Sequence, residues 1–344
     1  MQQGSQIYRK MIRKRMRILF FLFLILLFLI LLNVSVGSSH ITILEILEII
    51  FRNEGRGNHV MIVKQVRMPM ALMAVVVGVS LGIGGCEIQS ILRNPIASPY
   101  TLGITSAASF GAAMGLLLNS NVFFLPDTLA VTGNAFFFTV LVSLGIYVFS
   151  FQKRINKTAI ILFGIALNFL FSSLTMILQY IAEEDKLQSL IFWTFGSLLK
   201  TTWNKFYFVF WVLLFTSIVL YRNAWKLTAM TLDDNKARSI GVPVQQLRRR
   251  TILIVSLLSA VSVSFVGTIG FVGLVAPHIS RQFVGEDQRF FMPLSALLGA
   301  VILSCSFLLS KLIIPGVILP IGLVTSVIGI PFFIAIIFGK MRSL

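Results

Sequence analysis

Ten apolar runs divide the chain. Residues 18–36, 69–91, 101–119, 133–151, 158–181, 206–221, 251–267, 271–284, 291–312 and 321–339 are each bounded by charge, glycine or proline. About 20 apolar residues span the roughly 30 Å hydrocarbon core of a bilayer, and backbone in lipid must satisfy its own polar groups, so runs of this kind read as helices. The eighth run is short and joins the seventh through the glycine-rich break GTIGFVG at 267–273; fusing the two would leave nine spans. Hydrophobic residues are 57% of the 344 and charged residues 12%, well beyond the roughly 45–50% apolar share of soluble domains. The expectation is one all-α, polytopic membrane domain over 1–344, with about ten transmembrane helices.

The formal net charge of +17 is distributed as a membrane protein distributes it, and nucleic acid is not an expected partner. With a cytoplasmic N-terminus and ten spans, loops 92–100, 152–157, 222–250 and 281–290 and the tail 340–344 lie inside. That side then holds 21 of the 29 Lys and Arg residues, the positive-inside bias. Nine spans would put Lys340 and Arg342 outside and weaken it. Arg9, Lys10, Arg13, Lys14, Arg15 and Arg17 make 1–17 a basic cytoplasmic N-terminus. The apolar run after them exceeds the 7–15 residues of a cleavable signal core, so it reads as a retained first span.

Charge inside the spans is nearly absent. Glu87 alone lies well within one, where a charge costs about 2.5–3.5 kcal/mol on insertion scales. It reads either as a carboxyl snorkelling towards Arg93 or as a polar group of a pathway. Carriers driven by ion gradients place several ionisable groups at depth, so a secondary transporter is disfavoured. An intramembrane enzyme would need a catalytic dyad there. No G-x-x-x-x-G-K-[ST] phosphate loop, H-E-x-x-H or G-x-S-x-G occurs. His40, His59 and His278 are far apart, and Cys86 and Cys305 sit in apolar runs without metal-ligand spacing, so neither a metal site nor a disulfide is expected.

The longest cytoplasmic loop, 222–250, contains TLDDNKARSIGVP at 231–243. Asp233 can cap a short helix that Gly241 ends, and such an exposed element suits docking into a groove of a soluble partner. In RNPIASPY at 93–100 two prolines stop the second span. In the 267–281 break, Pro277 can re-open a helix where its missing N–H is no loss, and His278 reads as a packed hydrogen-bonding residue.

Several motifs occur together and in order: QVRMP at 65–69, GVSLGIGGCEIQSILRNPIASPYTLGITSAASFG at 78–111, DDNKARSIGVP at 233–243, GTIGFVGLVAPHISR at 267–281 and LPIGLVTSVIGIPFF at 319–333. On these the chain resembles the FecCD-type (BtuC-like) permeases over about residues 65–338. These are membrane subunits of ATP-binding-cassette importers for iron-siderophores, haem and cobalamin. The resemblance implies a type II importer fold and a homo- or heterodimer of permeases in the bacterial cytoplasmic (inner) membrane. It also implies two cytoplasmic ATPases, which bind ATP and Mg, an extracytoplasmic binding protein, and no cofactor on this chain.

The resemblance further implies roles for individual residues. Asp233, Asp234, Lys236, Ala237, Arg238 and Gly241 would couple to the ATPase, and Asn156, Lys157 and Thr158 would form a cytoplasmic gate. Gly164, Asn168, Ser172, Ser173 and Thr175 would line the passage, with Glu87 as a further pathway candidate. Arg67 and Lys311 would meet acids of the binding protein, although Arg67 could equally be an interfacial cation and Lys311 reads better as one. The chain departs from the family's pattern at Met70, Phe307 and Ile318, where charged residues are common, and at Glu87, usually neutral. The expected cargo is a ferric siderophore. A permease for bare zinc or manganese would need ligand clusters in its spans.

Overall fold

A computed structural model describes residues 2–37, 39, 41–152, 157–314 and 316–341; the described residues are helical, without strands. Expectations for His40, Asn156 and Arg342 lie outside them.

Helix α1 (Gln2–Ser35) carries the basic segment straight into the first apolar run. At 1.5 Å per residue it is about 50 Å long, so its basic turns extend past an apolar slab of about 30 Å. Hydropathy left 37–68 unassigned, and three helical elements lie there. Helix α2 (Ile43–Arg52) starts where the Thr42 hydroxyl accepts from the Glu45 N–H, and it ends at Asn53 in the left-handed region. Ile46 and Ile49 bury its inner face against Val34, Ile41, Val63 and Ala71. The second span is a continuous helix built of α3 (His59–Met61), a π-helical stretch (Ile62–Arg67) and α4 (Met68–Leu92). Pro69 lacks an N–H and cannot bond the Gln65 carbonyl. The wider ladder, in which the Met68 N–H reaches Val63 O, absorbs the mismatch.

Helix α5 (Ile104–Leu117) begins after Gly103, and α6 (Asp127–Phe149) and α7 (Lys157–Tyr180) follow. Helix α8 (Glu184–Thr194), too polar to register as a span, precedes α9 (Trp203–Arg222). The loop expected at 222–250 is shorter than hydropathy implied. It contains α10 (Ala224–Met230) and α11 (Asp234–Ser239), and α12 (Val244–Val266) already includes Arg248, Arg249 and Arg250 in its first turns. Three positive residues interrupted the apolar pattern without interrupting the helix. After the break come α13 (Val272–Val284), α14 (Gln288–Leu312) and α15 (Ile321–Met341).

All ten expected spans are therefore helices. Among the described residues, seven are long and apolar enough to cross a membrane, α5 and the 321–331 part of α15 are shorter apolar helices, and α13 is the tenth. Pro277 lies inside α13 and not at its start, so it opens no helix; instead it leaves the Gly273 carbonyl, four residues earlier, without an α-helical donor.

Helix α4 is the central pillar, with 20 of its 25 residues buried, as expected of a helix apolar all round. It packs against α14, α13 and α12 through small residues, which let backbones approach where lipid supplies no hydrophobic drive between helices. A Cβ added at Gly78 would sit 2.5 Å from Gly299 O, one at Gly82 2.9 Å from the Ser295 carbonyl carbon, and one at Gly85 2.6 Å from the Gly273 carbonyl carbon. The carbonyl that Pro277 releases thus faces a glycine Cα, a contact in which Cα–H groups serve as weak donors.

Candidate functional site

The 267–271 break answers a packing demand. Gly267 adopts φ +77° and Gly196 φ +73°, conformations glycine takes without a Cβ penalty. The Ser197 N–H donates to Val266 O (2.7 Å), the Gly322 N–H to Phe195 O (2.9 Å) and the Ile321 N–H to Gly196 O (3.1 Å), while the Thr268 hydroxyl donates to Thr194 O. The C-terminal ends of α8 and α12 and the start of α15 are stitched into one node. A side chain at Gly196 or Gly322 would press on Thr268 O at 2.6 or 2.7 Å.

Beside this node lies a cavity of about 410 Å³, and a second of about 290 Å³ adjoins it; Tyr100, Thr105, Thr194 and Thr268 line both. The wall includes Ser106 and Ser109 on α5, Asn168, Ser172, Thr175 and Gln179 on α7, and Ser259 and Ser326. Every lining residue is uncharged. Ser109 Oγ donates to Thr105 O, Thr175 Oγ1 to Phe171 O and Ser326 Oγ to Gly322 O, so these oxygens keep lone pairs free to accept. Of the pathway residues expected from sequence, Asn168, Ser172 and Thr175 lie on this wall. Ser173 is exposed on another face of α7, and Gly164 is buried where a Cβ would meet Leu102 Cα at 2.8 Å. Sequence reading missed the α5 residues, although Thr105, Ser106 and Ser109 form a polar stripe at one-turn spacing in an apolar helix. Thr194 and Thr268 carried no such signal.

Glu87 does not line this wall. It is fully buried, and neither carboxyl oxygen has a hydrogen-bond partner among the described residues. Arg93, the expected partner of a snorkelling Glu87, turns to the start of α11 instead, with NH2 3.0 Å from Asp234 Oδ1 and 3.5 Å from Asp233 Oδ1.

In the loop between α9 and α12, Asp233 caps α11 by accepting from the Asn235 N–H (3.1 Å), and that bond lowers its pKa. Asp234 takes three cations. Besides Arg93, Lys157 Nζ lies 2.8 Å from Oδ1 and Arg248 NH2 2.8 Å from Oδ2. Burial works against the charged carboxyl, but the hydrogen bonds from Lys157 and Arg248 outweigh it and hold Asp234 at about 2. Arg248 is 2% exposed and its Nε donates to Ile91 O. Ala237 is the buried residue of α11, whereas Lys236, Arg238 and Gly241 are exposed. Of the expected gate residues, Lys157 and Thr158 open α7.

The two expected docking cations are not free at the surface. Arg67 is 6% exposed. Its NH1 donates to Val34 O (3.0 Å) and Ser35 O (2.7 Å), and its NH2 to Ser39 O (2.7 Å) and Ser39 Oγ (2.8 Å). Gly37 leaves room for this fork, since a Cβ there would meet Arg67 NH2 at 2.5 Å. Lys311 Nζ donates to Asn33 O at 2.7 Å and sits 3.9 Å from the Phe307 ring centre. Together they cap the carbonyls at the C-terminal end of α1. No cluster of three metal-ligating side chains occurs among the described residues.

The sequence profile of the FecCD transport family matches residues 25–339. The hemin transport system permease protein HmuU of Yersinia pestis is 34% identical over 81% of this chain and 83% of its own length. The molybdate import system permease protein MolB of Haemophilus influenzae is 31% identical over 95% and 97%. A solved chain described as of the metal-chelate ABC transporter type, in an inward-facing conformation, superposes with a TM-score of 0.83 at 29% identity, covering 94% of this chain and 99% of that one. With seven helices long and apolar enough to cross a membrane among its described residues, and with these relatives, the chain belongs to the FecCD transport family as a multi-pass ABC transporter permease, a transport component and not an enzyme.

Proposed function

We propose that this permease forms half of the pore of an importer that carries an iron(III)-siderophore chelate across the cytoplasmic membrane by alternating access. A second permease, identical or not, completes the pathway, and an extracytoplasmic binding protein delivers the cargo. Two ATPase subunits, which hold ATP and Mg, seat on the exposed face of α11, where Lys236 and Arg238 present positive charge to acidic groups. Both termini are cytoplasmic, in keeping with the 21 of 29 basic residues on that side.

The observation that carries this reading is the uncharged wall of hydroxyl, amide and apolar groups around the two joined cavities. A bare divalent ion demands carboxylate, imidazole or thiolate ligands, and a small oxyanion calls for cationic donors. A coordinatively saturated chelate needs neither, because its metal is already satisfied. Selectivity then rests mainly with the binding protein. Haem is the second reading, supported by the Yersinia relative.

The test is uptake into proteoliposomes holding the permease with its ATPase and binding protein, offered radiolabelled ferric siderophore, haem, cobalamin and molybdate in parallel. ATP-dependent accumulation of the ferric siderophore that survives an uncoupler is the expected result. Preferred accumulation of any of the others refutes the cargo assignment, and concentrative uptake by the permease without an ATPase refutes the mechanism.

A further inference from the structure

We propose that Asp234 is a latch that binds the coupling helix to the vestibule wall, so that α11 and the cytoplasmic end of α7 move as one body. Sequence assigned Asp234 to the partner-facing surface; its geometry turns it inward. One carboxylate receives Lys157 at 2.8 Å, Arg248 at 2.8 Å and Arg93 at 3.0 Å, each from a different helix or helix end. Lys157 is the first residue of α7, Arg93 follows the last residue of α4, and Arg248 lies in the second turn of α12.

Each arm leads somewhere specific. Arg248, almost wholly buried, bridges Asp234 and the Ile91 carbonyl, which ties α11 to the end of the central helix α4. Lys157 is the arm that reaches the pathway. Asn168 stands eleven residues further along the same helix, about 16 Å away at 1.5 Å per residue, and it lines the vestibule. An unbroken helix transmits a displacement of its first turn to that wall. The local charge is also unbalanced. Removing Asp234 leaves three cations converging on one place with, among the described residues, only Asp233, 3.5 Å from Arg93, to offset them. They then repel, so the perturbation opens the junction instead of merely loosening it. Asp233 is not equivalent, because its side chain is exposed and occupied as a helix cap. Asp234 is on this account a positioning residue: it touches neither cargo nor nucleotide, and the consequence for transport rests on the function proposed above.

The latch is tested by distance. With Cys305 replaced by serine, since it is exposed, nitroxide labels at Leu162→Cys on α7 and Ser239→Cys on α11 report their separation in the full chain in lipid nanodiscs. Wild-type Asp234 is expected to give one narrow distribution, Asp234→Asn one at least twofold broader, and Asp234→Glu a return towards the narrow form. An Asp234→Asn chain that is folded by circular dichroism yet keeps the wild-type width overturns the proposal. So does a uniform loss of thermal stability in Asn and Glu variants with no change in width. Should Asp234→Asn not fold, Lys157→Gln severs one arm only, and an unchanged width there is equally fatal. In proteoliposomes, ferric siderophore moved per ATP hydrolysed is expected to fall about tenfold in Asp234→Asn. If the wild-type complex moves none, the function reading fails, while the distances still judge the latch.

Discussion

Replacing Gly85 with alanine tests the contact on which the centre of the bundle depends. The new methyl would lie 2.6 Å from the Gly273 carbonyl carbon and 3.0 Å from its Cα, where carbon atoms settle at about 3.5–4.0 Å. Helices α4 and α13 would have to part by about 1 Å, and both sides of the clash are backbone, so no rotamer change relieves it. A gap of that size forfeits a quarter to a half of the dispersion energy of the atoms it separates. We take about 3 kcal/mol, the upper end of the usual range for overpacking, or a fall of about 6 °C in Tm at roughly 2 °C per kcal/mol. Gly145→Ala is the matched control: it also lies within a long helix, α6, and a Cβ there meets nothing within 4 Å. Both substitutions gain the same helix propensity, up to about 1 kcal/mol, so their difference isolates the contact. Thermal unfolding of the full chain in detergent, followed by tryptophan fluorescence, measures it. A Gly85→Ala chain as stable as Gly145→Ala would refute the close packing.

Two further outcomes are expected. Arg67→Met should cost about 3 kcal/mol by leaving the carbonyls at the end of α1 without their charge-assisted donors, and Arg67→Lys should recover only part, because an ammonium cannot fork across them; unchanged Tm with weakened capture by the binding protein would instead make Arg67 a docking residue. Asp234 titrates at about 2 when folded against 3.8 as its ordinary value, so its contribution is fully present above pH 3.8 and vanishes as pH falls through 2. The Tm gap between wild type and Asp234→Asn, about 2 kcal/mol in stability at neutral pH, should narrow over that acid interval; a gap independent of pH would exclude the ion pairs as its source.

Helices whose cause is local were legible before the structure. The ten apolar runs, the stop after Leu92, the Asp233 cap and the Gly267 break each follow from residues within one or two turns of each other. Elements outside the apolar pattern were not: α2, α8 and α10 are short and mixed, and the arginines at 248–250 marked a loop where the chain forms helix. Side-chain roles diverged further. Arg67 and Lys311, read from sequence as docking or interfacial cations, and Asp234, read as part of the ATPase-coupling helix, each spend their charge inside the chain.

The sequence by itself determined that this chain spans a membrane many times, where its spans break, and that a short capped helix stands in the loop between the sixth and seventh apolar runs, because hydropathy, glycine conformation and capping act over a few residues. Tertiary structure alone decided which groups face the vestibule and which cations meet Asp234. Arg93 is 141 residues from that carboxylate, and no local rule brings them together. The partners are chosen by how glycine-lined helices close on one another, a consequence of packing that only the assembled bundle contains.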